Sequence, residues 1–314
     1  MKKTILITGG TGYLGKNLGL KLKKKYNVIL TGRNNKQNFI AKKETGCETA
    51  PLDVTNIDSI RDIVNTYKPN IIIHAAATKF VDLSEKFPFE CVDCNVLGST
   101  NIARVAIDKK IETVIGISTD KASPPVKNIY GLSKTLMEKL FVSANSQSKT
   151  NFMCVRYGNV VWSTGSVLTI WKTMHEKKEA ILTTGPNMRR YFFTVDEAAN
   201  LVLTGLKNIS KFKGKILSRE MKAAKMIDIL KVWVKYYGGK YKVAKWERDG
   251  DRVDEYLIGE AEKEFTTKIA IDSINHYVID FNKKVKKPLR DIVSSATAKK
   301  LSEKDIKKLL DYGF

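Results

Sequence analysis

Residues 3–22 read KTILITGGTGYLGKNLGLKL. The apolar run Thr4 to Thr8 is the length of a strand and stops at glycine, so it predicts a buried strand. From Gly12 to Leu22, with leucines at 14, 18, 20 and 22, the pattern predicts a helix. Between them lies Gly9-x-x-Gly12-x-x-Gly15. Glycines at this spacing permit a tight turn, close approach of backbone to a phosphate, and close packing of helix on strand. A pyrophosphate there meets free amides at the positive end of the helix. Thr11, Tyr13 and Leu14 fill the turn and join the three glycines as candidate cofactor contacts.

Outward from this unit, strand and helix alternate. A second strand, Asn27 to Leu30, leads into Thr31-Gly32-Arg33-Asn34-Asn35-Lys36. An acidic residue at this point usually takes the ribose hydroxyls of NAD; Arg33 and Lys36 suit a 2′-phosphate instead, so NADP is expected over NAD. The competing reading is a basic loop in a lysine-rich chain. A third strand, Cys47 to Leu52, ends in Asp53-Val54, where a carboxylate can accept from an adenine amino group and Val54 can line the ring. After a helix (Ile57 to Tyr67), a fourth strand (Asn70 to His74) ends in Ala75, Ala76 and Ala77, small enough to let a flat dinucleotide pass. Phe89 to Ala106 reads as one long helix with Asn95 and Gly98 inside it. A fifth strand, Thr113 to Ile117, delivers Ser118-Thr119-Asp120-Lys121, and a sixth spans Asn151 to Arg156. Regular alternation implies an α/β fold with a parallel sheet covered by helices on both faces. Ligands bind such sheets at the carboxyl ends of the strands, where the glycines, Asp53, Ala75 and Thr119 all fall.

Tyr130 and Lys134 form a Tyr-x-x-x-Lys pair. On a helix beginning near Tyr130 the two share one face, one turn apart. An ammonium beside a phenol favours phenolate and is expected to lower its pKa from about 10, which would let Tyr130 take a proton from a hydroxyl. Taken alone, the pair is equally compatible with a core tyrosine and a surface lysine.

The 55 Lys and Arg against 33 Asp and Glu give a formal net charge of +22, a field that attracts anions. The lysines are scattered and no nucleic-acid module is present, so a diphosphate substrate is expected and nucleic acid is not. Cys47, Cys91, Cys94 and Cys154 are too few for a disulfide framework, and Cys91-x-x-Cys94 has no second pair, so no metal is assigned. No apolar run approaches the ~20 residues that span a bilayer, and the amino-terminal run breaks at glycines; a cytoplasmic location and no membrane association are expected.

Beyond Tyr157-Gly158-Asn159-Val160 the alternation fades. Ser163 to Val167 reads as loop and helix start, and Thr183 to Phe193 as irregular. Helices are expected at Val195 to Leu206 and Met226 to Tyr237, short strands at Lys215 to Ser218 and Lys242 to Trp246, and a capped amphipathic helix at Ser302 to Leu310. The expected division is a dinucleotide-binding domain of residues 1–160 plus about 191–222, and a smaller mixed α/β substrate lobe of about 161–190 plus 223–314.

Together, the glycine triplet, Asp53-Val54, the Ala75 run, Asn95 and Tyr130-x-x-x-Lys134 resemble an extended short-chain dehydrogenase/reductase, a doubly wound Rossmann fold. Ser118-Thr119-Asp120-Lys121-Ala122, Arg156-Tyr157-Gly158-Asn159-Val160-Val161, Gly165-Ser166-Val167 and Met188-Arg189-Arg190-Tyr191-Phe192 resemble the UDP-N-acetylglucosamine 4,6-dehydratases, the soluble inverting type. The resemblance spans roughly residues 4 to 258. Against the family pattern, Arg248 and Glu255 are kept but the residues between them differ. Trp162 stands where glycine is common, a change expected to reshape the uridine or sugar pocket, and the loop from Asp120 to Tyr130 is one residue longer.

The resemblance implies NADP, a UDP-N-acetylhexosamine substrate and a homo-oligomer. It implies catalytic roles for Tyr130 (base for the carbon-4 hydroxyl), Lys121 (base at carbon 5), Asp120 (acid for the departing carbon-6 hydroxyl) and Thr119 (hydrogen bond to the carbon-4 oxygen). Lys134 and Asn95 would support the cofactor. Lys79, Tyr157, Asn159, Ser166, Val167, Arg190, Arg248 and Glu255 would contact the substrate, with Arg248 on the diphosphate and Glu255 on the uridine ribose. Rival readings are a UDP-sugar 4-epimerase or a retaining dehydratase on the same fold, and, outside enzymes, an NADP-binding sensor or a basic nucleic-acid-binding protein.

Overall fold

The computed structural model describes residues 2–244 and 249–314. The first half builds strands β1 (Thr4–Thr8), β2 (Asn27–Gly32), β3 (Glu48–Pro51), β4 (Ile71–His74), β5 (Thr113–Thr119) and β6 (Asn151–Tyr157). Between them run α1 (Tyr13–Leu22), α2 (Asn35–Thr45), α3 (Ile57–Tyr67), α4 (Val81–Lys86), α5 (Pro88–Val92), α6 (Gly98–Asp108) and α7 (Ile129–Gln147). These strands pair in parallel in the spatial order 3-2-1-4-5-6. The protein is thus a doubly wound Rossmann-type sheet whose order reverses between β1 and β4, where a crevice opens at the strands' carboxyl ends.

Residues of the strand centres are apolar on both faces because helices cover both: Ile5, Leu6, Ile7, Ile72, Ile73, Val114 and Ile115 are fully buried. Local chemistry fixes the helix starts. Asn56 accepts from the Asp58 and Ser59 amides at α3, and Asn128 accepts from the Gly131 amide at α7. Gly46, with φ of 68°, closes α2 in the left-handed conformation.

The second half contributes β7 (Asn159–Val160), α8 (Val167–Glu176), β8 (Ile181–Thr183), β9 (Arg189–Phe193), α9 (Val195–Lys207), α10 (Ile209–Phe212) and β10 (Ile216–Arg219). Then come β11 (Ala223–Lys225), α11 (Met226–Tyr237), β12 (Tyr241–Val243), β13 (Tyr256–Ile258), β14 (Thr266–Ile271), β15 (Ile274–Ile279), β16 (Val293–Ser294) and α12 (Glu303–Asp311). β10 extends the main sheet beside β6, and the β14–β15 hairpin adds two antiparallel strands at that edge. Residues 266–279 therefore complete the main sheet; the sequence reading had put them in the lobe. A second apolar cluster, built on Trp162, Trp171, Met188, Trp233, Ile306 and Leu310, is the core of the lobe.

Three elements differ from expectation. The long helix across Phe89–Ala106 is two α-helices joined by a π-helical turn at Asp93–Leu97. The stretch Thr183–Phe193, expected to be irregular, carries β9, held between β7 and β11. The strand expected at Lys242–Trp246 is found at Tyr241–Val243; Lys245 and Trp246 lie outside the described residues.

Candidate active site

A cleft of about 770 Å³ runs from the β1–α1 turn, across the ends of β4 and β5, into the lobe. At one end the glycine turn is forced by close approach. Gly9 has φ of +63°, and a Cβ there would lie 2.7 Å from the Ala76 amide nitrogen. A Cβ on Gly15 would collide with the Gly10 backbone. Gly9, Thr11, Gly12, Tyr13, Leu14 and Gly15 all line the cleft, as do Val54 and Ala75, Ala76 and Ala77. Arg33 lines it too, exposed just before α2.

Four expected cofactor or substrate contacts are placed elsewhere. Lys36 is exposed on α2 and does not line the cleft. Asp53 is also outside it, and its Oδ1 accepts from the Thr55 amide and hydroxyl at 2.9 and 2.8 Å, a local turn that holds the carboxylate beside its own backbone. Asn95 is fully buried behind the cleft wall. Its Oδ1 accepts from the Thr78 amide at 2.8 Å, and its Nδ2 donates to the Thr78 carbonyl at 2.9 Å and the Ser133 hydroxyl at 2.9 Å. Asn95 is thus a strut that ties the segment after β4 to α7, and the π-helical turn is what aims it there. Glu255 is 1% exposed and points to the catalytic candidates instead of the cleft surface. Arg248 lies outside the described residues.

At the centre, β5 ends in Thr119 and passes into a 3-10 turn, Asp120–Ala122. Thr119, Lys121, Tyr130 and Lys134 line the cleft, and Asp120 is fully buried directly behind them. The Lys121 ammonium donates to Asp120 Oδ1 at 3.1 Å and Asn159 Oδ1 at 3.4 Å, and lies 3.3 Å from Glu255 Oε1. Thr119 Oγ1 donates to Asp120 Oδ1 at 3.0 Å. Asp120 Oδ2 is buried with no hydrogen-bond partner among the described residues.

The surroundings set the charges. Burial drives the Asp120 carboxyl above its ordinary range; Lys121 works against this and Glu255 adds to it. For Lys121, burial lowers the pKa, but Asp120 and Glu255 outweigh it and the ammonium is held above its usual value. Glu255 is pushed up by burial yet ends below the ordinary range, because Lys121, Arg190 and Arg252 surround it.

Tyr130 corrects an expectation. Its phenol is pushed up to about 12 by burial, which exceeds the lowering by Lys121 and by a hydrogen bond with Thr119. The cation nearest in effect is Lys121, not the Lys134 of the Tyr-x-x-x-Lys pair. Burial brings Lys134 down to about 8, and its ammonium donates only to Met137 Sδ, at 3.1 Å, among the described residues.

Toward the lobe, Tyr157, Asn159, Ser166, Val167 and Arg190 line the cleft, and the Lys79 ammonium reaches the Ser163 hydroxyl at 3.5 Å across its mouth. Arg190 is 7% exposed, its Nε 3.8 Å from Glu255 Oε1 and its Nη2 3.8 Å from Asp251 Oδ1. Trp162, expected to reshape this pocket, turns away from it. Its φ of +62° is a conformation natural to glycine, and its indole donates to the Leu309 carbonyl at 2.7 Å and packs on Trp233 and Phe314.

Sequence reading missed Arg252, Ser123 and Glu262. Arg252 is 8% exposed and donates to Glu255 Oε2 at 2.6 and 3.0 Å and to the Pro125 carbonyl at 2.6 Å, so it clamps Glu255 to the loop after Lys121. The available signal was charge density in Glu247–Glu255 just before the apolar Tyr256–Ile258, which marks buried ion pairs as readily as a solvated loop.

Compared with known proteins, the chain is 34% identical to an uncharacterized membrane protein, MJ1061, of Methanocaldococcus jannaschii, over 98% of this chain and 95% of that one. Among the described residues, no helix is long and apolar enough to cross a membrane. It is 32% identical to an inverting UDP-N-acetylglucosamine 4,6-dehydratase of Campylobacter jejuni, covering 73% of this chain and 70% of that one. It is 30% identical to a UDP-glucose 4-epimerase of Rickettsia bellii, over 98% and 95%. Against the capsular polysaccharide biosynthesis protein CapD of Staphylococcus aureus (32% identical over 88% of this chain), it spans 49% of the longer protein. The solved structure of Pen from Bacillus thuringiensis superposes with a TM-score of 0.90 at 26% identity, covering 99% of this chain and 97% of that one. Residues 5–276, which contain the glycine turn, the Thr119–Lys134 cluster and Arg190, match one family throughout, and the chain belongs to it: the polysaccharide biosynthesis proteins.

Proposed function

We propose that the protein is a nucleotide-sugar 4,6-dehydratase that converts UDP-N-acetylglucosamine into a UDP-4-keto-6-deoxy-N-acetylhexosamine, with inversion at carbon 5 and NADP as resident cofactor. The observation that carries this reading is the buried Asp120–Lys121 pair beside Tyr130 in the cleft. An alcohol oxidation needs only the tyrosine and its lysine; loss of water needs a further base and a further acid.

The residues present fit a dinucleotide. The glycine turn leaves no room for side chains where a pyrophosphate would lie, and Lys134, buried with only a sulfur acceptor, can give its N–H groups to ribose hydroxyls. Arg33 is the residue that favours a 2′-phosphate; with Lys36 away from the cleft, it carries that preference without a second cation. A bound nicotinamide supplies the hydride acceptor and donor by which a carbon-4 hydroxyl becomes a ketone and carbon 6 is later reduced.

The chain's own residues handle protons. Tyr130, as the phenolate that Lys121 and a hydrogen bond with Thr119 favour and burial opposes, takes the proton of the carbon-4 hydroxyl, and Thr119 hydrogen-bonds that oxygen. With a ketone at carbon 4, the carbon-5 proton becomes acidic and passes to Lys121, which becomes an amine by handing its own proton to Asp120. The Asp120 carboxylic acid gives its proton to the carbon-6 hydroxyl, which leaves as water as the carbon-5–carbon-6 double bond forms. Asn159 and Glu255 hold Lys121 in place, and Arg190 and Lys79, which both line the cleft, are the cations for the diphosphate.

Purified protein incubated with UDP-N-acetylglucosamine and NADP is expected to give a product that absorbs in alkali as a 4-keto-6-deoxy sugar, with solvent deuterium at carbon 5. Lys121→Ala is expected to keep nucleotide binding and lose elimination. UDP-N-acetylgalactosamine as product would favour the epimerase reading that the Rickettsia relative suggests. Full activity in Tyr130→Phe would sink both.

A further inference from the structure

Lys121 has two carboxylate partners where a simple acid–base pair needs one. Its ammonium donates to Asp120 Oδ1 at 3.1 Å and to Asn159 Oδ1 at 3.4 Å, and it forms an ion pair with Glu255 Oε1 at 3.3 Å. Glu255 is itself locked. Its Oε2 takes both Arg252 Nε and Nη2, its backbone amide donates to Ser295 Oγ at 3.0 Å, and Arg190 flanks it. Arg252 at 2.6 Å, together with Lys121 and Arg190, holds the Glu255 carboxyl below its ordinary range against the effect of burial.

We propose that Glu255 is a positioning residue of the elimination step: it is the second counter-ion of Lys121, and its charge sets the pH range in which the Asp120–Lys121 pair carries one proton. This rests on the dehydratase reading. Elimination begins with that proton on Asp120 and ends with one on Lys121: the Asp120 proton leaves with the carbon-6 oxygen as water, and the carbon-5 proton arrives on the amine. The pair must therefore hold a single proton at the start, neither two nor none. Without Glu255, the Lys121 ammonium would lose one of the two carboxylates it pairs with and keep Asp120 at 3.1 Å, and both members of the pair would release protons at lower pH.

Other groups around the pair are Tyr130 on α7 with Tyr157 of β6 next to it, Arg190 and Tyr191 on β9, and Arg252 and the buried Asp251 before β13. Tyr157 and Tyr191 are buried phenols driven well above their ordinary range, so they stay neutral through the range that matters. Arg190 and Arg252 are fixed cations. Glu255 is the neighbouring anion whose removal changes the field without touching the cleft surface.

The test is the pH profile of kcat for Glu255→Gln, which keeps the shape and removes the charge. Both limbs of the bell are expected to move to lower pH by about one unit or more. Glu255→Asp, which keeps the charge, leaves both limbs close to those of the unaltered protein even where kcat falls. A lower kcat in Glu255→Gln with unmoved limbs would show a purely structural role and overturn the proposal. A readout free of turnover is the pH dependence of reductive methylation at Lys121, mapped by mass spectrometry. Its midpoint falls in Glu255→Gln if the two are coupled, even should the protein prove not to be a dehydratase. An unmoved midpoint removes the coupling while leaving the dehydratase reading untouched.

Discussion

Arg156→Met takes from β6 a guanidinium with no exposed surface and five hydrogen bonds. Its Nε and Nη2 donate to Glu138 of α7 at 2.9 and 2.7 Å, its Nη1 and Nη2 to Glu262 at 2.9 and 2.8 Å, and Nη1 also to the Leu257 carbonyl at 2.8 Å. Methionine fills similar volume, so the loss is one of charge. Removing one partner of a buried ion pair costs about 3–5 kcal/mol. Here one cation serves two carboxylates, so the upper end, about 5 kcal/mol, is expected, a large part of the about 5–15 kcal/mol that holds a domain folded.

The pH dependence reverses with it. In the unaltered protein, burial raises Glu262 but Arg156 outweighs it and the carboxyl sits below its ordinary 4.5. A depressed carboxyl stabilises above its unfolded pKa, and that stability is lost as pH falls. In the variant Glu262 keeps its burial and loses its cation, so its folded pKa rises. The deficit is then least below about pH 4.5 and grows as pH rises toward neutrality. Urea unfolding followed by tryptophan fluorescence across that range measures both the size and the slope. A deficit under about 1 kcal/mol at neutral pH, the worth of an exposed pair, would refute the reasoning, as would one that shrinks with rising pH. Replacing Glu138 and Glu262 by glutamine in the same chain should restore most of the loss.

Gly158→Ala would put a Cβ 2.5 Å from Tyr191 Cβ and 3.0 Å from Asp120 Oδ2, and the displaced carboxyl should lower kcat about tenfold to a hundredfold with a small change in KM. Asn95→Ala leaves the Thr78 amide and carbonyl without their partner; a stability loss of about 1–3 kcal/mol and weaker dinucleotide binding by calorimetry are expected, despite the absence of direct contact. Lys134, lowered to about 8 by burial against about 10.5 unfolded, binds fewer protons folded than unfolded between those values. The cofactor-free protein should therefore gain stability as pH rises from about 8 to 10, and Lys134→Met should lack that gain.

How far the sequence foretold this protein depended on the kind of constraint. The run Thr4–Thr8, the glycine triplet and the alternation up to Arg156 are local patterns with a local cause, and the sheet and its crevice follow from them. The helices Ile57–Tyr67 and Met226–Tyr237 have the bounds expected. Side-chain direction was another matter. Asn95 and Asp53 were read as ligands because of where they stand in the chain. A π-helical turn aims one into the wall, and a two-residue turn occupies the other. Tyr130 shows the same limit: spacing placed a lysine one turn away but could not weigh burial against charge. Arg252, Glu255 and Glu262 reach the centre across 100 residues and more, and no pattern in the sequence records a distance of that kind.

The cluster around Lys121 is drawn from distant parts of the chain: Ser123 meets Glu262 across 139 positions, and Arg252 meets the Asp120 carbonyl across 132. On a polypeptide still being synthesised this separation is a delay. The glycine turn and the six parallel strands are complete by Tyr157, roughly 100 residues before Glu255 and Glu262, and at about 5–20 residues per second the gap lasts about 5–20 s. A nascent chain can thus form the crevice at the ends of β1 and β4 on the ribosome while Lys121 still lacks its second carboxylate. The parallel strands come first, and the carboxylates that surround Lys121 from the far part of the chain come last.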